Sequence, residues 1–305
     1  VWAWVRPADA VSVSERRKLA QKPVLSAESV QTGRWMQDFE SYSLDQFPLR
    51  EGFRSLKAAV QLGVFLQKDN NGIYLQNGYA SKLDYPLHED SVTFAANKFL
   101  GLYHTLLEGQ SNQVYYAVIP DKNYFMAPLG GCPAMDYAAL LARLRQQLTP
   151  AMTEIPLFDQ LSLDCYYKTD PHWRQEKLVP LAGYLAEAMG TEIQTQYTEN
   201  TLEQPYYGLY YGYAALPMPP ETLVYLTNET LAGCEVYNYE SGKNMPFYDK
   251  EKAAGGDAYE LFLSGSVSLL RIDNPNAGTD KELIIFRDSF GSSLAPLLAA
   301  GYKQI

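Results

Sequence analysis

One of the three histidines in the chain, His172, lies two residues after Asp170 and just before a predicted helix. An imidazole oriented by a carboxylate is the base that activates a serine hydroxyl, which is otherwise a poor nucleophile at neutral pH. A matching serine, Ser289, follows the apolar residues 283–286 late in the chain. We therefore predict that Ser289, His172 and Asp170 form a catalytic triad.

The local sequence favours this arrangement. Asp-x-His spacing lets one loop carry both the orienting acid and the base, and Pro171 disfavours helical geometry at Asp170. Residues 283–286 are predicted as a short buried strand, and Ser289 as the turn into an apolar helix whose first N–H groups can donate to an oxyanion. This is half of a nucleophile elbow, because Arg287 occupies the place of the first glycine in Gly-x-Ser-x-Gly.

Each of these residues also has a structural interpretation. His172 can be a histidine that only hydrogen-bonds Asp170, and Asp170 or Ser289 can simply cap the helix that follows it. Asp288 is predicted to point away from the site, since a carboxylate facing a developing oxyanion would oppose catalysis. The triad is preferred because the serine and the Asp-x-His pair occur together.

The sequence around His172 resembles a known family. Residues 167–173, Tyr-Lys-Thr-Asp-Pro-His-Trp, resemble the Asp-His-His-Trp signature of the bacterial DHHW proteins, with Pro171 in place of the first histidine. The wider resemblance is to the SGNH-like domains of the alginate O-acetyltransferases, in which an Asp-x-His pair precedes the serine in a circularly permuted order. The other similar pieces are Gln-Phe-Pro-Leu-Arg at 46–50, Asn-Asn-Gly-Ile-Tyr-Leu at 70–75, Ile-Pro-Asp-Lys at 119–122 and Arg-Asp-Ser-Phe-Gly at 287–291.

The resemblance implies a three-layer SGNH-hydrolase-like α/β fold and an O-acetyltransferase or acetylesterase that acts on a cell-surface or extracellular polysaccharide. It implies an extracytoplasmic protein, secreted or anchored by a segment outside this chain. The implied partners are an acetyl donor, a polysaccharide acceptor and a membrane-bound acetyl-transfer partner, with no cofactor. Further sheet elements, which can carry oxyanion-hole donors, are expected after Ile305. The alternative is a non-catalytic glycan-binding or cell-envelope assembly protein that keeps the fold.

The order of predicted elements points to the same fold class. Strand-like segments at 114–119 and 155–157 alternate with helix-like segments at 136–148 and 174–189. This alternation is typical of a mainly parallel sheet with helices on both faces, where ligands bind at the carboxyl ends of the strands. Both Lys122 and Ser289 follow predicted strands at that edge.

The chain divides into three predicted regions. Residues 1–88 form a helical segment, which includes a helix capped by Ser26, and a β-hairpin on an Asn-Gly turn. Residues 89–190 and 257–305 form the SGNH-like α/β core. Residues 191–256, rich in tyrosine, proline and glycine, form an insertion with strands near 222–226 and 235–239.

Substrate-binding candidates come from the aromatic and cationic residues. Exposed tyrosines suit stacking on sugar rings, although the cluster in the insertion can equally pack that segment onto the sheet. Tyr207 and Tyr210 are the candidates from this cluster, and Tyr167 is a third, beside the histidine motif. Lys122 and Arg287 are candidates for binding an anionic substrate or for stabilising charge, with ion pairs to some of the 35 acidic residues as the alternative.

Composition excludes several function classes. The 305 residues, 47% hydrophobic, are sufficient for a sizeable core. A net charge of −10 argues against a nucleic-acid partner, and the basic run at 16–18 is interpreted as a solvated face. Residues 1–5 are too short for a membrane span, and no other stretch is long and apolar enough, so no transmembrane segment is predicted.

Neither a metal site nor a disulfide framework is predicted. The three cysteines have no Cys-x-x-Cys spacing. Asp170 and His172 supply two potential metal ligands, and the sequence nominates no third. His88 and His104 lack partners at useful spacing.

Overall fold

The structure is a computed structural model, and it describes residues 6–305. Residues 1–5, discussed above as too short for a membrane span, lie outside the described residues. The chain is a mixed α/β protein of small sheets and helices. Within residues 6–305, no helix combines the length and apolar character needed to cross a bilayer.

The N-terminal part is a small hairpin followed by three helices. These elements are β1 (Val11–Ser12), β2 (Arg17–Lys18), α1 (Ala27–Gln31), α2 (Arg34–Asp45) and α3 (Arg50–Gly63). Ser26 caps α1 as predicted, because its side chain accepts a hydrogen bond from the Ser29 N–H. Gly33, with φ of 74°, separates α1 from α2.

The predicted β-hairpin is confirmed and belongs to an antiparallel three-stranded sheet. Its strands are β3 (Asp69–Asn70), β4 (Ile73–Gln76) and β5 (Tyr79–Lys82). Asn77 and Gly78 both have positive φ, 50° and 80°, which the tight turn requires. Ala80, in β5, donates its N–H to the carbonyl of Lys168 at 2.8 Å and so joins this sheet to the loop that carries His172.

The middle of the chain contains a parallel strand pair and helices around it. The elements are α4 (Glu89–Leu102), β6 (Tyr115–Tyr116), α5 (Lys122–Gly130), α6 (Tyr137–Leu148), β7 (Thr153–Glu154) and α7 (Val179–Ala188). β6 and β7 pair in parallel, and α6 begins after its N-cap Asp136, as predicted. The predicted helix at 174–189 begins later, because Gln175–Lys177 form a 3₁₀ turn.

The last third contains two further sheets and the helix that follows Ser289. The elements are β8 (Thr198–Thr201), α8 (Leu209–Ala214), β9 (Val224–Thr227), α9 (Glu229–Gly233), β10 (Glu235–Asn238), β11 (Lys243–Met245), α10 (Lys250–Ala253), β12 (Leu270–Asp273) and α11 (Phe290–Leu298). β9 and β10 match strands predicted in the insertion. β10 lies between β11 and β12, so one sheet contains strands from both sides of residue 256.

The expected mainly parallel sheet is not confirmed. Among the named strands of residues 6–305, β6 and β7 form the parallel pair, and the other pairs are antiparallel. Alternation of apolar and polar residues shows which face of a strand is buried but not which strand it pairs with or in which direction.

The predicted buried strand at 283–286 is wrong. Its backbone contact is a hydrogen bond from the Leu283 N–H to the Gln304 carbonyl at 3.0 Å, beside a parallel bridge between Glu282 and Gln304. Ile284 and Phe286 are 76% and 65% exposed. One face of this segment is partly buried and the other is exposed to solvent. A run of apolar residues does not by itself show that both faces will be buried.

The largest apolar cluster lies beneath the candidate site. Trp173 is fully buried in it, together with residues of α7 and α11. They include Leu181 and Leu185 of α7, and Leu297 and Leu298 of α11, and the N-cap residue of α7, Leu178, belongs to the same cluster. This packing fixes the start of α11, and thus Ser289, relative to the loop that carries His172.

Candidate active site

The loop that carries Asp170 and His172 is a closed turn. Tyr166 and Trp173 form an antiparallel bridge at its base, and the Tyr167 N–H donates to the His172 carbonyl at 3.1 Å. Asp170 Oδ1 accepts the backbone N–H of His172 at 3.1 Å. The Asp-x-His spacing therefore produces a local turn that aims both side chains to one side, as predicted from the sequence.

Asp170, His172 and Ser289 form a continuous hydrogen-bond chain. The distance from Asp170 Oδ1 to His172 Nδ1 is 2.5 Å, and that from His172 Nε2 to Ser289 Oγ is 2.6 Å, although the two residues are 117 positions apart. A carboxylate only accepts hydrogen bonds, so Nδ1 carries the proton in the neutral imidazole and Nε2 accepts from the serine hydroxyl. This tautomer is the one that a general base needs.

Asp170 is fully buried, and its carboxylate oxygens accept hydrogen bonds from protein groups. Its Oδ2 accepts the Leu209 N–H at 2.8 Å and faces Arg16 Nη1 at 3.5 Å. Burial alone would raise the pKa of the Asp170 carboxyl, but the hydrogen bond and charge of His172, the charge of Arg16 and the Leu209 N–H together lower it well below its usual range. Asp170 is therefore an anion at neutral pH.

Ser289 is exposed at the start of α11, where an incoming substrate can reach it. Its side chain makes no helix-capping hydrogen bond, so the capping interpretation does not apply. The exposed Asp288 instead accepts the Phe290 N–H at 3.0 Å. One of the helix N–H groups expected to donate to an oxyanion is thereby already occupied.

Trp173 ties the histidine loop to α11. Its Nε1 atom lies 3.1 Å from the Phe290 carbonyl oxygen and 2.8 Å from Ser293 Oγ, and its single N–H is directed at these two acceptors. Gln175 Nε2 also donates to the Ser293 carbonyl, at 2.7 Å. The tryptophan of the motif therefore holds the base next to the serine without touching the reacting atoms.

An aromatic ring supports the imidazole from one side. The rings of Tyr259 and His172 stack with a centroid distance of 3.9 Å and an interplanar angle of 11°, and Phe290 is tilted against His172 at 5.0 Å. The Tyr259 hydroxyl is held by Ser293 Oγ at 2.8 Å. Burial raises the pKa of Tyr259, so it stays a neutral ring against the base.

Two further residues, Glu221 and Gly208, contact the loop directly. The Glu221 carboxylate accepts the N–H groups of Lys168 and Thr169, at 2.6 and 2.8 Å, and the Thr169 hydroxyl at 2.7 Å. Gly208 lies so close that an added Cβ would be 2.3 Å from the Thr169 carbonyl oxygen. The absence of a side chain at 208 lets α8 begin directly on the loop, and so brings the Leu209 N–H to Asp170.

Lys122 and Tyr167 lie inside the protein rather than at the surface of the site. Lys122 Nζ donates to the carbonyls of Tyr167 and Lys168 at 2.8 and 3.1 Å, and it lies over the Tyr210 ring at 5.0 Å. Burial lowers the pKa of Lys122 to about 7. Tyr167 is fully buried and packs edge-on against Tyr206. Lys122 thus supports the loop from the protein interior, and the buried Tyr167 ring anchors the loop there.

Of the remaining predicted binding residues, Tyr207 is the accessible one. It is 41% exposed and tilted against Tyr211, whereas Tyr210 is 9% exposed. Arg287 is half-buried, and its Nη1 donates to Ser292 Oγ at 2.7 Å. Burial lowers the pKa of Arg287.

Sequence reasoning missed Arg16 and Tyr259. The basic run at 16–18 was interpreted as a solvated face, but the Arg16 side chain is only 13% exposed and faces two carboxylates, Asp170 and Asp257. For Arg16 the sequence carries no local signal, because its partner is 154 positions away. For Tyr259 the sequence likewise carries no local signal, because the ring stacks on His172, 87 positions earlier in the chain.

Among the described residues, no cluster of three or more His, Cys, Asp or Glu side chains has the geometry of a metal site. The three cysteines are free thiols, partly buried and separate from the triad. The triad itself places a serine hydroxyl beside an imidazole oriented by a carboxylate.

Fold and site together define an α/β protein with a serine–histidine–aspartate hydrogen-bond chain at its surface. The fold is similar to that of a DHHW family protein from Eubacterium siraeum, with a TM-score of 0.60 and 18% identity over 77% of this chain and 82% of that one. It is also similar to that of Bacillus cereus PatB1, described with a sulfonyl adduct, with a TM-score of 0.59 and 18% identity over 76% of this chain and 84% of that one.

A more distant match is the O-acetyltransferase domain of Pseudomonas putida AlgJ, with a TM-score of 0.39 and 18% identity over 51% of this chain and 64% of that one. No family model matches the sequence, and comparison with curated proteins gives no match. At these identities the similarity to the DHHW protein and PatB1 shows a common fold.

Proposed function

We propose that this protein is a serine-dependent acyl-transfer enzyme, an O-acetyltransferase or acetylesterase that acts on a cell-surface or extracellular polysaccharide. The observation that carries the proposal is the chain from the buried Asp170 through His172 to the exposed Ser289 hydroxyl. The sequence resemblance to the SGNH-like domains of alginate O-acetyltransferases supports an acetyl group as the transferred group. In both, the Asp-x-His pair precedes the serine in the sequence. PatB1, which has a similar fold, is described with a sulfonyl adduct, and such an adduct is compatible with an activated nucleophile in that protein.

In the first half-reaction, Ser289 Oγ attacks the acetyl carbonyl carbon while its proton passes to His172 Nε2. Collapse of the tetrahedral intermediate breaks the bond to the leaving oxygen, which takes that proton from Nε2. In the second half-reaction, His172 removes a proton from a glycan hydroxyl or water, whose oxygen attacks the acetyl-serine. Ser289 then leaves and regains the proton. Asp170 holds the Nδ1–H tautomer and stabilises the imidazolium throughout.

The substrate is proposed to lie over the exposed hydroxyl of Ser289, and the exposed ring of Tyr207 is the candidate surface for a sugar ring. The same proposal includes a location outside the cytoplasm, a polysaccharide acceptor and a membrane-bound partner that delivers the acetyl group. These three parts rest on the sequence resemblance. No cofactor is needed for the two half-reactions, because each bond made is matched by one broken.

Turnover of a chromogenic acetyl ester, with and without an oligosaccharide acceptor, tests the proposal. Ser289→Ala and His172→Gln are expected to lose activity by about 10³-fold or more while keeping the circular dichroism spectrum. Ser241→Ala, at an exposed serine outside the site, and His104→Gln, at an exposed histidine paired with Glu108, are the matched controls. Equal rates for the site and control variants would refute the mechanism.

Covalent labelling gives a second test that needs no knowledge of the natural substrate. Sulfonyl fluorides react with activated hydroxyls, and PatB1 is described with a sulfonyl adduct. We expect one sulfonyl group per molecule, located by peptide mass spectrometry at Ser289 and absent in His172→Gln. Labelling spread over several serines would show that Ser289 is not activated.

The alternative function, a non-catalytic glycan-binding or envelope-assembly protein, is favoured by one observation. The exposed Tyr207 ring, tilted against Tyr211 with centroids 4.7 Å apart, offers an aromatic surface to a sugar ring independently of the triad. Glycan binding that survives Ser289→Ala but is lost in Tyr207→Ala, in a protein without acetyl-ester turnover, would support this alternative.

A further inference from the structure

The outer oxygen of Asp170 is held by a residue from the N-terminal hairpin. Arg16 lies in the turn between β1 and β2, with its guanidinium placed between Asp170 and Asp257. Nη1 is 3.5 Å from Asp170 Oδ2 and 2.7 Å from Asp257 Oδ2, and Nη2 donates to the Tyr207 carbonyl at 2.9 Å. One cation thus bridges two carboxylates at the back of the triad.

The hairpin is built to deliver this side chain. Arg16 has φ of 50°, in the left-handed region that arginine seldom adopts. The turn packs against α8 at Gly212, where an added Cβ would be 1.7 Å from the Ser14 carbonyl oxygen. A strained backbone at a residue whose side chain reaches a buried carboxylate is a feature expected of functional sites.

Asp257 serves two groups of the site at once. Its Oδ1 accepts the Tyr259 N–H at 2.9 Å and so caps the 3₁₀ turn that stacks Tyr259 on His172. Its Oδ2 pairs with Arg16. The position of the stacked ring and the charge behind Asp170 are therefore set by the same carboxylate.

We propose that Arg16 and Asp257 are positioning residues that extend the triad: Arg16 fixes the outer oxygen of Asp170, and Asp257 offsets the positive charge of Arg16 so that His172 remains able to take up a proton. An uncompensated cation behind Asp170 would weaken the electrostatic stabilisation of the His172 imidazolium by that carboxylate. An absent cation would leave the Asp170 oxygen held by the Leu209 N–H alone.

The charged and titratable groups around the pair come from several elements, and all must be considered in a test. Besides Arg16 and Asp257 they are Asp170 and His172 on the loop, Lys122 of α5, the buried Tyr206, Tyr259 of the 3₁₀ turn and Asp288 before α11. The two substitutions below change Arg16 and Asp257 and leave the other groups in place.

The test is the protonation midpoint of His172, followed by NMR of the full chain labelled with ¹³C-histidine and assigned with His172→Gln. Arg16→Met removes a positive charge, so the midpoint should rise by about 0.5 to 1 pH unit. Asp257→Asn keeps an oxygen to cap the 3₁₀ turn but removes a negative charge, so the midpoint should fall by about 0.3 to 0.5 pH unit. The double variant should return close to the wild type.

Matched controls separate this effect from general charge changes. Arg17→Met removes the neighbouring arginine, which pairs with Asp45 rather than with the triad. Asp280→Asn removes an exposed carboxylate paired with Lys303. Both should leave the midpoint unchanged. Unchanged midpoints in Arg16→Met and Asp257→Asn, or shifts no larger than those of the controls, would overturn the proposal.

The inference rests on the proposed function for its catalytic meaning, but the NMR measurement needs no turnover. If the protein is active, the acid limb of the pH–rate profile should move in the same two directions, and kcat in Arg16→Met should fall about 10-fold on the plateau. Shifts in the midpoint without any acetyl-ester turnover would support the charge arrangement and contradict the enzyme. If Arg16→Met does not fold, Asp257→Asn carries the decision.

Discussion

Replacing Asp170 by asparagine gives the sharpest test of the site, because every hydrogen bond of this carboxylate is accounted for. Oδ1 accepts from the His172 backbone and from His172 Nδ1, and Oδ2 accepts from the Leu209 N–H beside Arg16. An amide has one oxygen, so one side of the substituted side chain must present its NH₂ group to a donor. Either orientation leaves buried donors facing each other.

The cost follows from the two orientations. With the NH₂ group toward Leu209 and Arg16, at least one buried donor is left unsatisfied, at about 1–3 kcal/mol each. With the NH₂ group toward His172, Nδ1 must become the acceptor, so Nε2 carries the proton and cannot accept one from Ser289. We expect a loss in the free energy of unfolding of about 2–4 kcal/mol and a loss in kcat of about 10³- to 10⁴-fold.

Chemical denaturation and acetyl-ester turnover at saturating substrate measure the two effects. Asp164→Asn, at an exposed aspartate in the 3₁₀ turn before the loop, is the control for charge removal. Retention of more than about a tenth of wild-type kcat in a folded Asp170→Asn protein would refute the assigned role, because the amide either imposes the wrong imidazole tautomer or, in the other orientation, lacks the negative charge that stabilises the imidazolium.

Three further predictions concern the residues that support the triad. Tyr259→Leu removes the ring stacked on His172 and should lower kcat about 3- to 10-fold, as expected for an aromatic contact of about 1 kcal/mol, whereas Tyr259→Phe should lose less; equal losses would contradict a role for the ring. Gly208→Ala forces a Cβ against the Thr169 carbonyl and should lower the melting temperature and activity together; a wild-type melting curve would show that the contact is not tight. Burial lowers the pKa of Lys122 to about 7, so the unfolded chain binds more protons than the folded one between about pH 7 and the usual lysine pKa, and stability should rise with pH there by up to about 1.4 kcal/mol per unit. Comparison of urea unfolding for the wild type and Lys122→Met at several pH values measures this slope, and parallel curves would contradict it.

A neutral amine at Lys122 can make the same hydrogen bonds as the charged form. Its two partners, the carbonyls of Tyr167 and Lys168, need N–H donors and not a charge. An uncharged amine retains two N–H groups and avoids the desolvation of an ammonium ion inside the protein. Lys122 therefore supports the loop that carries Asp170. Its position after a predicted strand indicated an anion-binding role, because the sequence does not show that this side chain is buried.

Local patterns were predictable because their geometry is encoded within a few residues. Asp-x-His spacing sets a turn in which one carboxylate oxygen meets both the backbone and the ring of His172. The Asn-Gly pair sets the positive φ values of the hairpin at 77–78. By contrast, the continuous apolar run at 283–286 was mistaken for a buried strand, because such a run does not show whether both of its faces are covered.

The amino-acid sequence alone thus determined the chemistry available, an acid and a base on one loop and a serine before an apolar helix. Only tertiary packing decided that they meet. The contact between His172 and Ser289 depends on Trp173 docking against α11, and the outer side of Asp170 depends on Arg16 from another end of the chain. Such contacts come from burial of many side chains at once, and no short stretch of sequence records which surfaces are brought together.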